Sequence, residues 1–351
     1  MTVAIITDTH FGIKNDAPEF VDHQVEFYTE TFFPTLVERG IKTILHLGDI
    51  FDRRKYTNHN TLHRFRECFF DKLVEHDIKM YLIVGNHDTY FKSTNDVNAP
   101  SLFLEGYDNH IVLIEEPCVH TFGNTAIQFM PWINSENYHD SIKAMKNSPA
   151  GICMGHFEIR GFEMNRGGGV NTSGLKAETF DAFHTVFSGH FHEPSTDGRI
   201  SYLGAPYEYT WSDYGCDRGF YIYTPDENEL EYIRTEQHMF HRIMYDENFD
   251  PNEFDVSTLT GKIVRVIVAE KDDNDRFEDF VEAIEHANPY NFEVIDNSAY
   301  HIAGDVDEDA LKNEDTLGIV TSYVQQSENA LDKEKLNNMF KSLYVEALAV
   351  E

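Results

Sequence analysis

The stretch Ile41-Lys42-Thr43-Ile44-Leu45-His46-Leu47-Gly48-Asp49-Ile50-Phe51-Asp52-Arg53 carries the fold in miniature. Residues 41–47 have strand length and β-branched character, and Gly48 then breaks the run. A residue without Cβ lets the chain turn sharply, so the side chains that follow are aimed off the strand end. The pattern recurs along the chain. Asp8-Thr9-His10 follows the apolar run 3–7, and Gly85-Asn86-His87-Asp88 follows 79–84. Gly155-His156 closes the run 151–154, and Gly189-His190-Phe191-His192 follows 184–187. Segments with helical spacing, 19–38 and 59–76, separate the first three runs. Strand–helix alternation predicts a layered α/β core, with ligands at the carboxyl ends of its strands.

Working outward, 126–130 adds another strand, and from 199 the runs RISYLG, GFYIYT and ELEYIRT predict a hairpin extension of a sheet. The polar stretch 246–260 reads as a linker. Beyond it, the apolar run 262–269, a helix over 276–287 and a run at 292–302 predict a small β-α-β domain. Leu311, Ile319, Tyr323, Leu331, Leu336, Phe340, Leu343 and Leu348 give the tail the apolar positions of one or two amphipathic helices. The expected organisation is a main domain over 1–245, a small domain over 262–305 and a helical segment over 306–351.

A chain of 351 residues with 41% hydrophobic content is long enough to bury a large core. Its apolar runs are all shorter than the roughly 20 residues a membrane helix needs. Met1 leads straight into a strand, without a basic leader, which predicts a cytosolic protein. Four widely spaced cysteines, Cys68, Cys118, Cys153 and Cys216, form no CxxC pair and are expected to be reduced and structural. The formal net charge of −33 opposes nucleic-acid binding at long range. A nucleic-acid substrate therefore requires divalent cations, a local basic patch or a basic partner.

The strand-end residues are carboxylates, an amide and imidazoles, with no thiolate. Such donors suit divalent cations of intermediate softness. Singly each motif is weak; five in this order, each after an apolar run, predict one shared site. Taken together, Asp8-x-His10, Gly48-Asp49-x-x-Asp52, Gly85-Asn86-His87-Asp88, Gly155-His156 and Gly189-His190-x-His192 resemble the calcineurin-like metallophosphoesterase superfamily. The resemblance implies a two-sheet α/β sandwich core and two divalent metal ions. By the same likeness Asp8, His10 and His192 hold one ion, Asn86, His156 and His190 the other, and Asp49 bridges both. Phosphate ester hydrolysis by in-line attack follows, with His87 as the catalytic histidine.

A carboxylate at Asp52 is expected to hold the His87 imidazole in one tautomer, although some relatives carry histidine there. Arg53 and Arg54, in the densest basic run of the chain, are expected to contact substrate phosphate. Arg166-Gly167-Gly168-Gly169 lacks the Lys-Ser/Thr of a phosphate cradle and reads as a loop. The aromatic run Tyr207-Glu208-Tyr209-Thr210-Trp211 suits either base stacking or core packing.

After the last ligand motif, Gly204-Ala205-Pro206 precedes Arg218-Gly219-Phe220, and His241-Arg242 follows. This arrangement is similar to the bacterial SbcD-type repair exonuclease family, with Arg218 in place of the usual lysine. The short, acidic layout resembles the recombination nucleases of T-even-type phages. That likeness implies a DNA exonuclease and endonuclease subunit of a recombination and double-strand-break repair complex, with manganese as its metal. It further implies a homodimer, an ABC-type coiled-coil ATPase partner bound through the C-terminal helices, capping by 262–305, and the host cytoplasm if phage-encoded. The alternative on the same fold is a phosphatase or small-molecule phosphodiesterase.

Overall fold

Period-two alternation decides which side of each strand faces which core. In β1 (Val3–Ile6), Val3 and Ile5 join one buried cluster while Ala4 and Ile6 join another. The same division runs through β2 (Thr43–His46) and β3 (Lys79–Ile83), where Leu45 and Ile83 face the first cluster and Ile44 and Leu82 the second. The structure, a computed structural model, describes residues 1–163, 169–271, 273–296, 333, 335, 336 and 340.

The remaining strands of the first unit are β4 (Ile111–Ile114), β5 (Cys118–Phe122), β6 (Thr125–Met130), β7 (Ile152–His156) and β8 (Thr185–Gly189). They continue with β9 (Ser195–Thr196), β10 (Ile200–Tyr202), β11 (Gly219–Thr224) and β12 (Glu229–Arg234). One sheet has the order β12-β11-β1-β2-β3-β4, the other β5-β6-β7-β8-β10-β9. Strands β1 to β4 are parallel to one another, as are β6, β7, β8 and β10. The motif-bearing ends therefore share one edge of each sheet.

Val3, Ile5 and Leu45 from the first sheet meet Ile127, Met154 and Phe187 from the second in one continuous core. The outer face of the first sheet is covered by Pro18–Glu26, Phe27–Phe32 and Phe33–Glu38, and by His59–Phe65, Arg66–Phe70 and Asp71–Glu75. Each of these predicted helices contains a π-helical turn, at Phe27–Phe32 and at Arg66–Phe70. Phenylalanines dominate their buried faces; the Phe11 and Phe65 rings stack with centroids 3.8 Å apart. Helix Tyr138–Lys146 covers the second sheet, where Met145, Cys153 and Val186 are buried together. The result is the two-sheet α/β sandwich.

The first unit comprises Met1–Tyr209 and Asp213–Met239; a second comprises Thr210–Ser212 and the chain from Phe240. The second contains β13 (Phe240–Tyr245), β14 (Ile263–Val268) and β15 (Asn291–Asp296), all parallel in that order. Because β13 bonds to β14 along its whole length, the expected boundary at 245 falls inside this unit. The stretch 246–260 is accordingly no linker between domains. It is the crossover that a parallel pair requires, with Leu259 fully buried and Phe249, Phe254 and Val256 packed on the same core. Helix Asn274–His286 starts where the Asp273 carboxylate accepts the N–H groups of Asp275 and Arg276, and it buries Phe277, Phe280 and Ile284.

The expected helical segment at 306–351 lies outside the described residues apart from four positions, as do 164–168 and 297–305. All four cysteines are free thiols. Among the described residues no helix is long and apolar enough to cross a membrane.

Candidate metal centre

Past three of the strand ends, four residues adopt the left-handed region that only glycine enters without cost. Asp8 (φ 52°), His10 (φ 42°), Asp49 (φ 53°) and His190 (φ 88°) all do so without being glycine. Such conformations persist where surrounding bonds enforce them, and they cluster at functional sites. Here the bonds are visible. Asp8 N–H donates to the Gly48 carbonyl at 3.0 Å and His10 N–H to that of Asp49 at 3.1 Å, so the first motif is laced to the second. A Cβ on Gly85 would stand 2.3 Å from the Asp49 N and Oδ1 atoms, so the third motif approaches the second closely only as glycine.

These turns bring together all seven residues singled out as ligands. Nε2 of His10 lies 3.1 Å from Nε2 of His192 and 3.9 Å from Asp8 Oδ1. Nε2 of His156 lies 2.8 Å from Asn86 Oδ1. Asp49 Oδ2 stands between the two groups, 3.7 Å from His10 Nε2 and 3.2 Å from His156 Nε2. The His190 ring is 5.2 Å from that of His156, and the His190 backbone N–H donates to both oxygens of Asp8 at 3.0 Å. Among the described residues three groups could each hold a metal ion, through Asp8, His10 and His192, through Asp49, His156 and His190, and through His10, Asp52 and His87.

The donors fit divalent cations in tautomer as well as type. His156 Nδ1–H donates to the Leu47 carbonyl at 2.8 Å, which leaves the Nε2 lone pair directed inward. His10 Nδ1 faces the Asp52 carboxylate at 3.3 Å, with the same consequence for its Nε2. Carboxylate-backed imidazoles of this kind are habitual metal ligands. Burial opposes charge on His10 and His156. The Asp52, Asp49 and Asp8 carboxylates outweigh it on His10, and those of Asp49 and Asp8 on His156; both rise to about 9. His190 is pushed down to about 3 by burial and then by His156, and burial with His10 holds His192 well below its ordinary value. Against burial, His156 and His87 keep the Asp49 carboxyl well below the usual range. Competing carboxylates and imidazoles packed this closely make a nest for positive charge.

Asp52 sits differently from expectation. Its carboxylate faces His10, while its backbone carbonyl accepts His87 Nδ1–H at 2.5 Å. His87 is held in one tautomer, but by the main chain. Its own N–H donates to Asp49 Oδ1 at 2.7 Å, and its ring stands edge-on to His10 at 4.9 Å. Arg53 is paired with Asp16 and lies over the Tyr56 ring. Half-buried Arg54 donates to Thr89 Oγ1 at 3.1 Å. Both arginines are thus already engaged within the protein.

Several supporting residues escaped the sequence reading. Fully buried Asp88 accepts four backbone N–H bonds of 2.9 to 3.0 Å, from Asp49, Ile50, Phe51 and Gly85, and so clamps the second motif to the third. Burial and the Asp49 charge push its carboxyl up to about 7, but both oxygens are occupied as acceptors, which favours the ionised form. Its only sequence signal was its place beside His87. Tyr207 and Tyr209 resolve the choice between stacking and packing, because both are buried. Tyr207 donates to the Thr9 carbonyl at 2.6 Å and Tyr209 to that of Asp8. Gln24 Nε2 adds a bond to the Thr9 carbonyl at 2.9 Å. Buried Arg218 pairs with Asp213 at 2.8 Å and Glu193 at 3.1 Å and donates to the His192 carbonyl.

Residues 1–194 match the Calcineurin-like phosphoesterase family. Over 350 residues the chain is 30% identical to "Exonuclease subunit 1" of Enterobacteria phage T4, and the alignment spans 99% of each chain. Among solved structures it is similar to an archaeal phosphodiesterase, at 12% identity over 67% of this chain and 100% of that one, with a TM-score of 0.33. A dimetal phosphatase from Danio rerio shows 9% identity over 63% of this chain and 91% of that one, with a TM-score of 0.38. At these scores neither structure bears on substrate.

Proposed function

The chain belongs to the calcineurin-like phosphoesterase family, and from that premise we propose that it is the DNA nuclease subunit of a recombination and double-strand-break repair complex. The observation that carries this reading is the end-to-end match, over 99% of both chains, to a phage exonuclease subunit. The convergence on Asp49 supports a two-cation site to go with it.

Asp8, His10 and His192 would hold the first cation and Asn86, His156 and His190 the second, with Asp49 shared between them. Two divalent ions there, manganese by family expectation, would supply charge neutralisation on the phosphate and activate a water for in-line attack. His87, with Nδ1–H committed to the Asp52 carbonyl, has Nε2 available to stabilise a phosphate oxygen or protonate the leaving one. Asp52 is a positioning residue for His10. Arg53 and Arg54 reach phosphate only by giving up their present partners.

The cations and a partner subunit offset the −33 charge. We assign capping to 262–305 and the docking of an ABC-type coiled-coil ATPase to 306–351, in a homodimer. Deleting 306–351 should remove ATPase binding while manganese-dependent hydrolysis of a small diester persists; retained binding overturns that assignment.

The main test is cleavage of end-labelled duplex DNA with manganese, with and without His87→Asn and with and without the ATPase. Cleavage indifferent to His87→Asn removes that residue from the mechanism. Hydrolysis of phosphomonoesters without any cleavage of linear DNA would replace the nuclease reading with a phosphatase.

A further inference from the structure

Beside the second ligand group the first unit contains a cavity of about 600 Å³ that the roles above leave unused. His156 belongs to its wall. Trp132 lines it as well, with its ring 5.2 Å from that of His190 and 6.0 Å from that of His156. The cavity therefore begins where the ligands end.

Trp132 is mounted rather than merely packed. Its backbone N–H donates to the Val84 carbonyl at 2.8 Å, and its own carbonyl accepts Asn95 Nδ2 and Asn137 Nδ2, each at 2.9 Å. Asn134 Nδ2 joins Asn95 Oδ1 at 3.0 Å and ties those supports together. This amide network fixes the main chain that carries a large aromatic, and that aromatic remains only partly buried, beside a void. Tyr138, 44% exposed, and exposed His139 add further rings to the wall. Besides these rings the lining includes two cations, Arg160 and Lys176, against one carboxylate, Glu158. In a chain of net charge −33 that local balance is unusual. Arg160 is oriented by bonds from Nε and Nη2 to the Gly174 carbonyl at 3.3 and 2.9 Å.

An aromatic face on a fixed stretch of main chain, with cations beside it, is the chemistry that receives a nucleotide. The base stacks on the ring, and the adjoining phosphate meets the basic groups. We propose that this cavity is a nucleoside subsite. It holds the base flanking the scissile phosphate against Trp132, with the next phosphate along the strand facing Arg160 and Lys176. Stacking is indifferent to base identity, since every base has a π-face, so the subsite grips without reading sequence. For its polymeric substrate the inference rests on the nuclease reading.

The test has two arms. In the first, the whole protein with manganese cleaves oligonucleotides carrying either a normal residue or an abasic residue beside the scissile phosphate. The abasic substrate should have a KM raised about tenfold, within the range of one base–aromatic stack. Trp132→Leu should bring that ratio close to one, and Trp132→Phe, which keeps a ring, should retain most of it. The wild-type ratio needs no variant, so it stands even if Trp132→Leu folds poorly.

In the second arm, deoxyadenosine monophosphate should quench tryptophan emission saturably in the wild type and not in Trp132→Leu, and deoxyribose 5-phosphate should leave emission unchanged. The chain has two tryptophans, so Trp211 remains as an internal reference. Equal KM values for the two oligonucleotides, or discrimination that survives in Trp132→Leu, overturn the subsite. DNA cleavage without quenching overturns the subsite and leaves the nuclease reading intact. Quenching without DNA cleavage supports the subsite and overturns the nuclease reading.

Discussion

The two units use the same backbone vocabulary for opposite ends. Both contain parallel strands, and both put non-glycine residues in the left-handed region. In the first unit Asp8, His10, Asp49 and His190 adopt it just past strand ends, which turns donor side chains toward one another. In the second, Asn288 (φ 55°) adopts it just past helix Asn274–His286, where it ends the helix. Beyond β14 and at the end of β15 the chain offers Lys271 and Asp296, which pair with each other at 2.6 Å. A parallel strand end is therefore not a site by itself. What makes one is a costly turn, enforced by bonds from neighbouring motifs, that aims a donor inward.

The most damaging change to that arrangement is Asp49→Asn. It keeps the shape but removes the charge shared by both groups, and kcat/KM for manganese-dependent hydrolysis of a small diester should fall about 1000-fold. A loss below tenfold would show that the two groups do not act through Asp49. Next, Asp88→Asn turns an amide NH2 toward backbone N–H donors inside the clamp. Urea unfolding should register a cost of about 3 kcal/mol, the penalty of unsatisfied buried donors.

Leu259→Ala attacks the other unit. A cavity there should cost about 3 kcal/mol, with diester hydrolysis retained; an unchanged unfolding curve would mean that 246–260 contributes nothing to the core. Asp52→Asn should weaken manganese affinity by about 10- to 100-fold, as loss of a supporting carboxylate does, measured by titrating activity with the metal. If it instead lowers cleavage as His87→Asn does and leaves manganese affinity unchanged, the carboxylate acts through His87. The smallest effect is expected at Asn288→Ala, about 1 kcal/mol for a left-handed alanine, with Asn288→Gly near neutral in the same melt.

Much of the fold was legible in the sequence, because alternation and apolar runs register directly which faces are buried. The strand ends carrying Asp8, Asp49, Asn86, His156, His190 and His192 could be found because each donor follows such a run. What could not be read is pairing across long separations. Nothing local tells Asp52 to face His10 rather than His87, or Arg53 to meet Asp16. Strand Phe240–Tyr245 was missed because its buried positions are interrupted by His241 and Arg242. The stretch 246–260 looked like a linker because its acidic residues outnumber the few apolar ones that anchor it. Asp88 was passed over because an acceptor for main-chain N–H groups looks in sequence like any other carboxylate.

Donors drawn from position 8 to position 192 also set a schedule for synthesis. A chain emerging from the ribosome has half a nest after its third motif and a complete one only once His192 has cleared the exit. The strand that carries Asp8 gains its second neighbour later still, when Gly219–Thr224 arrives to pair with it, and Glu229–Arg234 then completes the sheet. Cleaving power is thus withheld from the growing polypeptide and from any fragment cut short before that strand.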